Sequence, residues 1–211
     1  MYKRQSETHS GSIIALDNVD NTIQGAGTIG SGDGDFALTN KSAGTVDANV
    51  DGETLTIDTG RAITNHGLLE ATNGGILVVD DSVKGTGSTA VGSDGILDFQ
   101  SSVSAGQTFT FTDLTGTLKL GDASHFSATI TDFSGNDSSS DTINLSNFNV
   151  CYTHLNASYD CSDNTTTLCV TDSHDNLSAT LTLTGYYSDA NFLTSTDGAG
   201  GTDITLSLIH I

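Results

Sequence analysis

Residues 52–58 (GETLTID), 74–80 (GGILVVD), 95–99 (GILDF) and 116–121 (GTLKLG) decide the fold. Each holds an apolar pair two residues apart: Leu55/Ile57, Leu77/Val79, Leu97/Phe99 and Leu118/Leu120, recurring at spacings of 22, 20 and 21 residues. Alternation with period two sends side chains to opposite faces of an extended strand, one apolar and one polar. An amphipathic helix would instead place its apolar residues three and four apart. Gly52, Gly74-Gly75 and Gly95 precede the pairs, where a corner needs backbone freedom.

Working outward, a second column runs Leu38, Ile63, Val83, Val103, Phe126, spaced 25, 20, 20 and 23 residues. A third takes Val46/Ala48, Leu69/Ala71, Val91, Phe109/Phe111 and Ile130. Three short strands in every 20–23 residues predict an all-β fold, a three-sided parallel β-helix whose coils bury their apolar faces only by stacking. A β-sandwich with strands about ten residues apart is the competing architecture. Asn40 and Asn65 fall at one corner on successive coils, so their amides are expected to stack as a ladder. The coils are assigned to residues 6–147. From 148 to 206 the strands 155–159, 167–171, 179–183 and 204–206 are joined by short turns, which predicts a C-terminal β-meander cap. Tyr152, Tyr159, Tyr186 and Tyr187 cluster there and are expected to help close the open end of the solenoid.

Composition agrees. Among 211 residues there are 32 Thr, 25 Ser and 24 Gly, and no Pro, so no interior strand lacks a ladder N–H. Six Lys+Arg against 26 Asp+Glu give a formal charge of -20, which argues against nucleic acid or an anionic membrane surface as partner. No apolar run approaches the ~18 residues of a membrane span, so no membrane insertion is expected. The opening MYKRQ (1–5) has no apolar stretch behind it, and with the closing SLIHI (207–211) it is read as a non-native end. The chain is accordingly expected to be an internal piece of a larger protein.

The stretch Ser104–Gln107 through Leu118-Lys119-Leu120, then Ile130, Phe133 and Asp141–Leu145, resembles modules of repetitive, secreted bacterial surface proteins. Leu168–Asp172, Ala179–Tyr186 and Asp197–Thr202 continue that likeness, and the coils of 38–103 are similar to autotransporter passengers and filamentous adhesins. The resemblance implies an extracellular or cell-surface location and a non-enzymatic role as stalk or adhesive surface, with glycans or other surfaces as partners. The outward positions around Leu55–Asp58 and Leu77–Asp80 are the first place to look for adhesion. Cysteine is uncommon in such modules, and Cys169 departs from their pattern.

Candidate sites are few. Asp33 and Asp35 in SGDGD, and Asp137 and Asp141 in SGNDSSSD, offer hard oxygen ligands in flexible turns and are weak calcium candidates, which supports a calcium-stabilised module as one alternative function. The other alternative is a carbohydrate-active enzyme of β-helix fold. Asp58 and Asp80 on adjacent coils are its nearest thing to a carboxylate pair, and Lys41, Arg61, Lys84 and Lys119 are isolated in sequence. No Ser/His/Asp grouping suggests a triad, and no catalytic residue is assigned. The three cysteines fit no zinc spacing. The turn 160–164 predicts a hairpin that brings Cys161 near Cys169, a candidate disulfide.

Overall fold

A computed structural model describes residues 13–136 and 139–207. The ends 1–5 and 208–211, and Asp137, lie outside the described residues. The first coil is β1 (Ile14–Asn18), β2 (Thr22–Gln24) and β3 (Gly27–Gly30). The second is β4 (Phe36–Asn40), β5 (Thr45–Ala48) and β6 (Thr54–Asp58), and the third β7 (Ile63–Asn65), β8 (Leu68–Ala71) and β9 (Ile76–Val79). The fourth is β10 (Val83–Lys84), β11 (Ser88–Val91) and β12 (Ile96–Phe99). In the fifth, Val103 alone bridges the first wall before β13 (Thr108–Phe111) and β14 (Thr117–Leu120). The sixth passes Phe126, β15 (Thr129–Thr131) and a small hairpin, β16 (Gly135–Asn136) with β17 (Ser139–Ser140), to reach β18 (Thr142–Leu145).

Equivalent strands stack in parallel register, forming the three walls of a β-solenoid. In the third wall, Leu55 pairs with Leu77, Leu77 with Leu97 and Leu97 with Leu118. Ile57, Val79, Phe99 and Leu120 form the neighbouring column, and all but Leu55 in these two columns are at most 1% exposed. Each such side chain contributes about 1.5–3 kcal/mol of burial, and only because the next coil covers it. Val83, Val103 and Phe126 stack on Ile63 in the first wall. In the second, Val46, Leu69, Thr89, Phe109 and Ile130 form one inward column. Thr89 is the exception, a fully buried hydroxyl donating to the Thr108 carbonyl at 3.3 Å.

The corner between the first two walls is held by side-chain amides. Asn18 Nδ2 donates to Asn40 Oδ1 at 2.9 Å, and Asn40 Nδ2 to Asn65 Oδ1 at 2.9 Å. These two Nδ2 atoms and that of Asn65 also reach the carbonyls of Thr45, Leu68 and Ser88, successive register positions at the start of β5, β8 and β11. On the fourth coil the next slot falls to Gly85, whose φ of +108° is one that only glycine adopts freely. Gln107 from the fifth coil fills the gap: Asn65 Nδ2 donates to its Oε1 at 2.8 Å, and its Nε2 returns a bond to the Asn65 carbonyl. Gly67 passes under this ladder so closely that a Cβ there would lie 2.2 Å from the Gly44 carbonyl oxygen and 2.8 Å from Asn40 Nδ2.

The C-terminal strands are stitched into two of the walls. β19 (Thr153–Asp160), β20 (Thr165–Asp172) and β21 (Leu177–Thr184) form an antiparallel meander turning at Asn164 and Asn176, both with φ of 54°. β21 then pairs in parallel with β15, so the second wall continues to nine strands. β22 (Phe192–Thr196) and β23 (Thr202–Leu206) extend the third wall, β23 running antiparallel to β18. Phe111, Phe133 and Phe192 seal the core, with Phe133 and Phe192 stacked 6.5 Å apart. Of the tyrosines expected to close this end only Tyr187 does so, its hydroxyl donating to the Phe133 carbonyl at 2.7 Å. Tyr152, Tyr159 and Tyr186 are exposed.

The amide ladder makes a quantitative prediction. Asn40→Ala orphans the buried Asn65 Oδ1 and removes a partner from Asn18 Nδ2 and from the Leu68 carbonyl, and should cost roughly 2–4 kcal/mol in urea unfolding. Gly67→Ala should destabilise comparably, whereas Asn49→Ala, whose amide reaches Gln24 at an exposed 3.4 Å, should not. An Asn40→Ala midpoint matching that of Asn49→Ala would show that the ladder does not hold the corner.

Candidate functional site

The outer faces of the second and third walls differ in charge, because each strand sends every other side chain outward. On the third wall, Asp58 and Asp80 stand one step past the Ile57–Val79 pair, on adjacent coils as the spacing implies. Burial first, then the charges of Asp58, Asp81 and Asp98, raise the Asp80 carboxyl above its ordinary range. Asp98 is nearly buried between Lys119 Nζ at 2.7 Å and the Gln100 amide. Farther along, Asn144 Nδ2 donates to Asp203 Oδ1 at 2.7 Å and Asp197 Oδ2 at 3.2 Å. This wall is therefore an acidic stripe with one lysine neutralised within it.

The second wall is acidic only at its beginning. Asp47 and Glu70 are register neighbours. Burial raises both carboxyls, and the charge of Asp47 raises that of Glu70 further. Beyond Ala90 the outward positions become threonine on four consecutive strands. One row is Thr108, Thr129, Thr182, Thr167, and the other is Thr110, Thr131, Thr184, Thr165. All eight are half-buried. Thr131 Oγ1 lies 2.9 Å from Thr110 Oγ1 and 3.2 Å from the Phe109 carbonyl, and Thr184 Oγ1 reaches the Ile130 carbonyl. The sequence shows each Thr-x-Thr but not this adjacency, since β20 and β21 join the wall only through a crossover from a distant segment.

A cavity of about 520 Å³ opens at the edge of that wall, lined by Thr110, Thr112, Asp113, Asp132 and Ser134 among others. Behind it, Asp141 is fully buried. Its Oδ2 accepts the Ser134 N–H at 2.9 Å and hydroxyl at 3.2 Å, while its Oδ1 has no hydrogen-bond partner. Burial pushes this carboxyl up to about 6 against the two Ser134 donors and the Gly116 backbone, and the charge of Asp113 adds to the rise. Asp141 is thus a structural acid holding Ser134 at the entry to the β16–β17 hairpin. Asp33 spends its oxygens on its own turn, accepting the Asp35 N–H and the Ser31 hydroxyl, both at 2.9 Å. Among the described residues no group of three or more His, Cys, Asp or Glu is arranged to hold a metal ion.

The cysteine expectation needs correction. The hairpin forms, but Cys169 pairs with Asn156 while Cys161 sits in the tip, and all three cysteines are free and exposed. The tip and Cys169 are separated by about four strand residues, ~13 Å, roughly twice the reach of a disulfide.

No protein-family model matches the chain, nor does any curated protein or solved structure.

Asp141 supplies a pH test. Its folded-state value near 6 lies above the unfolded value of 3.8, so the folded chain binds the extra proton between them. Its contribution is most favourable below about pH 4 and is lost as pH rises through about 6. Asp141→Asn should therefore raise stability at neutral pH by on the order of 2 kcal/mol, the gap over wild type closing near pH 4. Thermal melts of both proteins across that range decide it: a gap independent of pH contradicts the assignment.

Proposed function

We propose that this chain is a non-enzymatic structural and adhesive segment of a larger extracellular bacterial protein, presenting flat polar walls to glycans or other surfaces. The observation that carries the reading is the uninterrupted register of the second and third walls. Six coils and a stitched cap hold outward side chains at fixed intervals of about 4.8 Å between strands and ~6.7 Å along them. Rigid β-branched side chains on such a lattice lose little freedom on contact, which favours binding by many weak contacts. The resemblance of the coils to adhesin and autotransporter modules supports the cell-surface assignment. A net charge of -20 supports uncharged or cationic partners over polyanions.

The test is retention of the purified chain on immobilised neutral and acidic glycans, with the heat-unfolded chain as control. Saturable retention of the folded chain alone, with no change in the glycan's chain length, is expected. Equal retention of folded and unfolded chain, or none on any glycan, would defeat the adhesive reading. Shortening of the glycan would defeat the non-enzymatic one.

A further inference from the structure

Resting on that adhesive reading, we infer that the threonine wall is the docking face and that its ligand is an ordered, insoluble, neutral polysaccharide. The eight threonines of β13, β15, β21 and β20 occupy every outward position of a two-by-four block. The face continues onto the cap through Ser158, Asn156, Cys169 and Thr180, all uncharged. Acids border it on three sides: Asp47 and Glu70 on the early coils, Asp160 at the last strand, and Asp113 and Asp132 at the cavity beside Thr110. An uncharged window with an acidic rim, in a chain of charge -20, selects against polyanions, and the window itself presents only neutral groups to a ligand.

The chemistry of the window narrows the ligand further. Thr131 and Thr184 direct their hydroxyl protons toward the wall itself. Their oxygen lone pairs and methyl groups are left for a partner, and a partner bearing both hydroxyl donors and C–H faces matches that mixture. Flatness narrows it again. The two threonine rows run side by side ~6.7 Å apart on one sheet face. A single soluble oligosaccharide gains too few contacts on such a plane, whereas parallel chains in an ordered solid engage both rows at once.

Microcrystalline cellulose is the probe, with calcium polygalacturonate gel as the acidic solid, and depletion of the full chain from solution is the readout. Wild type should adsorb to cellulose equally at low and high salt, and much less to polygalacturonate. Thr129→Lys combined with Thr182→Lys should weaken adsorption roughly tenfold or more. Thr56→Lys on the third wall should leave it unchanged. Thr129→Val with Thr182→Val keeps the β-branched shape and so the fold, and should still weaken adsorption by removing the hydroxyls. Several results overturn the inference: no depletion by cellulose, salt-suppressed binding, equal binding to polygalacturonate, or Lys and Val pairs that adsorb like wild type. Incorporation of wild type into a growing ice front without cellulose binding would also overturn it, making ordered water the ligand. If the chain is retained on other glycans but these variants have no effect, the adhesive function stands and this face is excluded.

Discussion

A strand in this chain is too short to satisfy itself: its N–H and C=O groups and its apolar side chains find partners only on the coil above and the coil below. That dependence on neighbours governs the rest of the structure. It explains why the apolar columns recur at one coil length, why glycine and positive-φ asparagine sit at the turns, and why proline is absent. The buried amides of Asn18, Asn40 and Asn65 obey the same rule, each satisfied by the next coil and by the carbonyl beside it. Where the fourth coil lacks a side chain at Gly85, a longer amide from the fifth reaches across, so the corner is kept even where the repeat lapses.

The same requirement shapes the end of the stack. A solenoid that stopped at β18 would expose a strand edge on each wall. Here two of the three edges are covered by strands of the chain itself, β21 on β15 and β23 on β18. Covering the second wall in this way also lengthens its outer face, so the device that ends the stack enlarges the threonine lattice. The acids meanwhile gather on the third wall and on the early coils of the second, where burial raises the carboxyls of Asp47, Glu70 and Asp80 and neighbouring acids add to the rise at Glu70 and Asp80.

Much of the fold could be read from residue spacing, because burial by stacking leaves a periodic trace. The three apolar columns and the Asn40–Asn65 contact occur where spacing puts them. What spacing could not show depends on contacts between segments far apart in sequence. Gln107 belongs to the amide ladder from outside its register, and Thr89 occupies an apolar column through one hydrogen bond. Asp141, one of the turn acids, is a buried structural group that takes the Ser134 N–H and hydroxyl across the base of the β16–β17 hairpin. The Cys161–Cys169 pairing failed on register: a tip residue and a mid-strand residue of one hairpin do not meet. The threonine face was visible only as scattered Thr-x-Thr, since four strands have to be laid side by side to make it.

Native-state hydrogen exchange tests most directly whether coils and cap stand as one stacked unit. Stitching through both walls predicts that amides of β11–β14, β18, β21 and β23 exchange only through a common opening at the free energy of global unfolding. The first coil, covered on one side among the described residues, should open earlier. Exchange of β21 and β23 well ahead of β12 and β14 would contradict it, showing a cap that comes away from a solenoid able to stand alone.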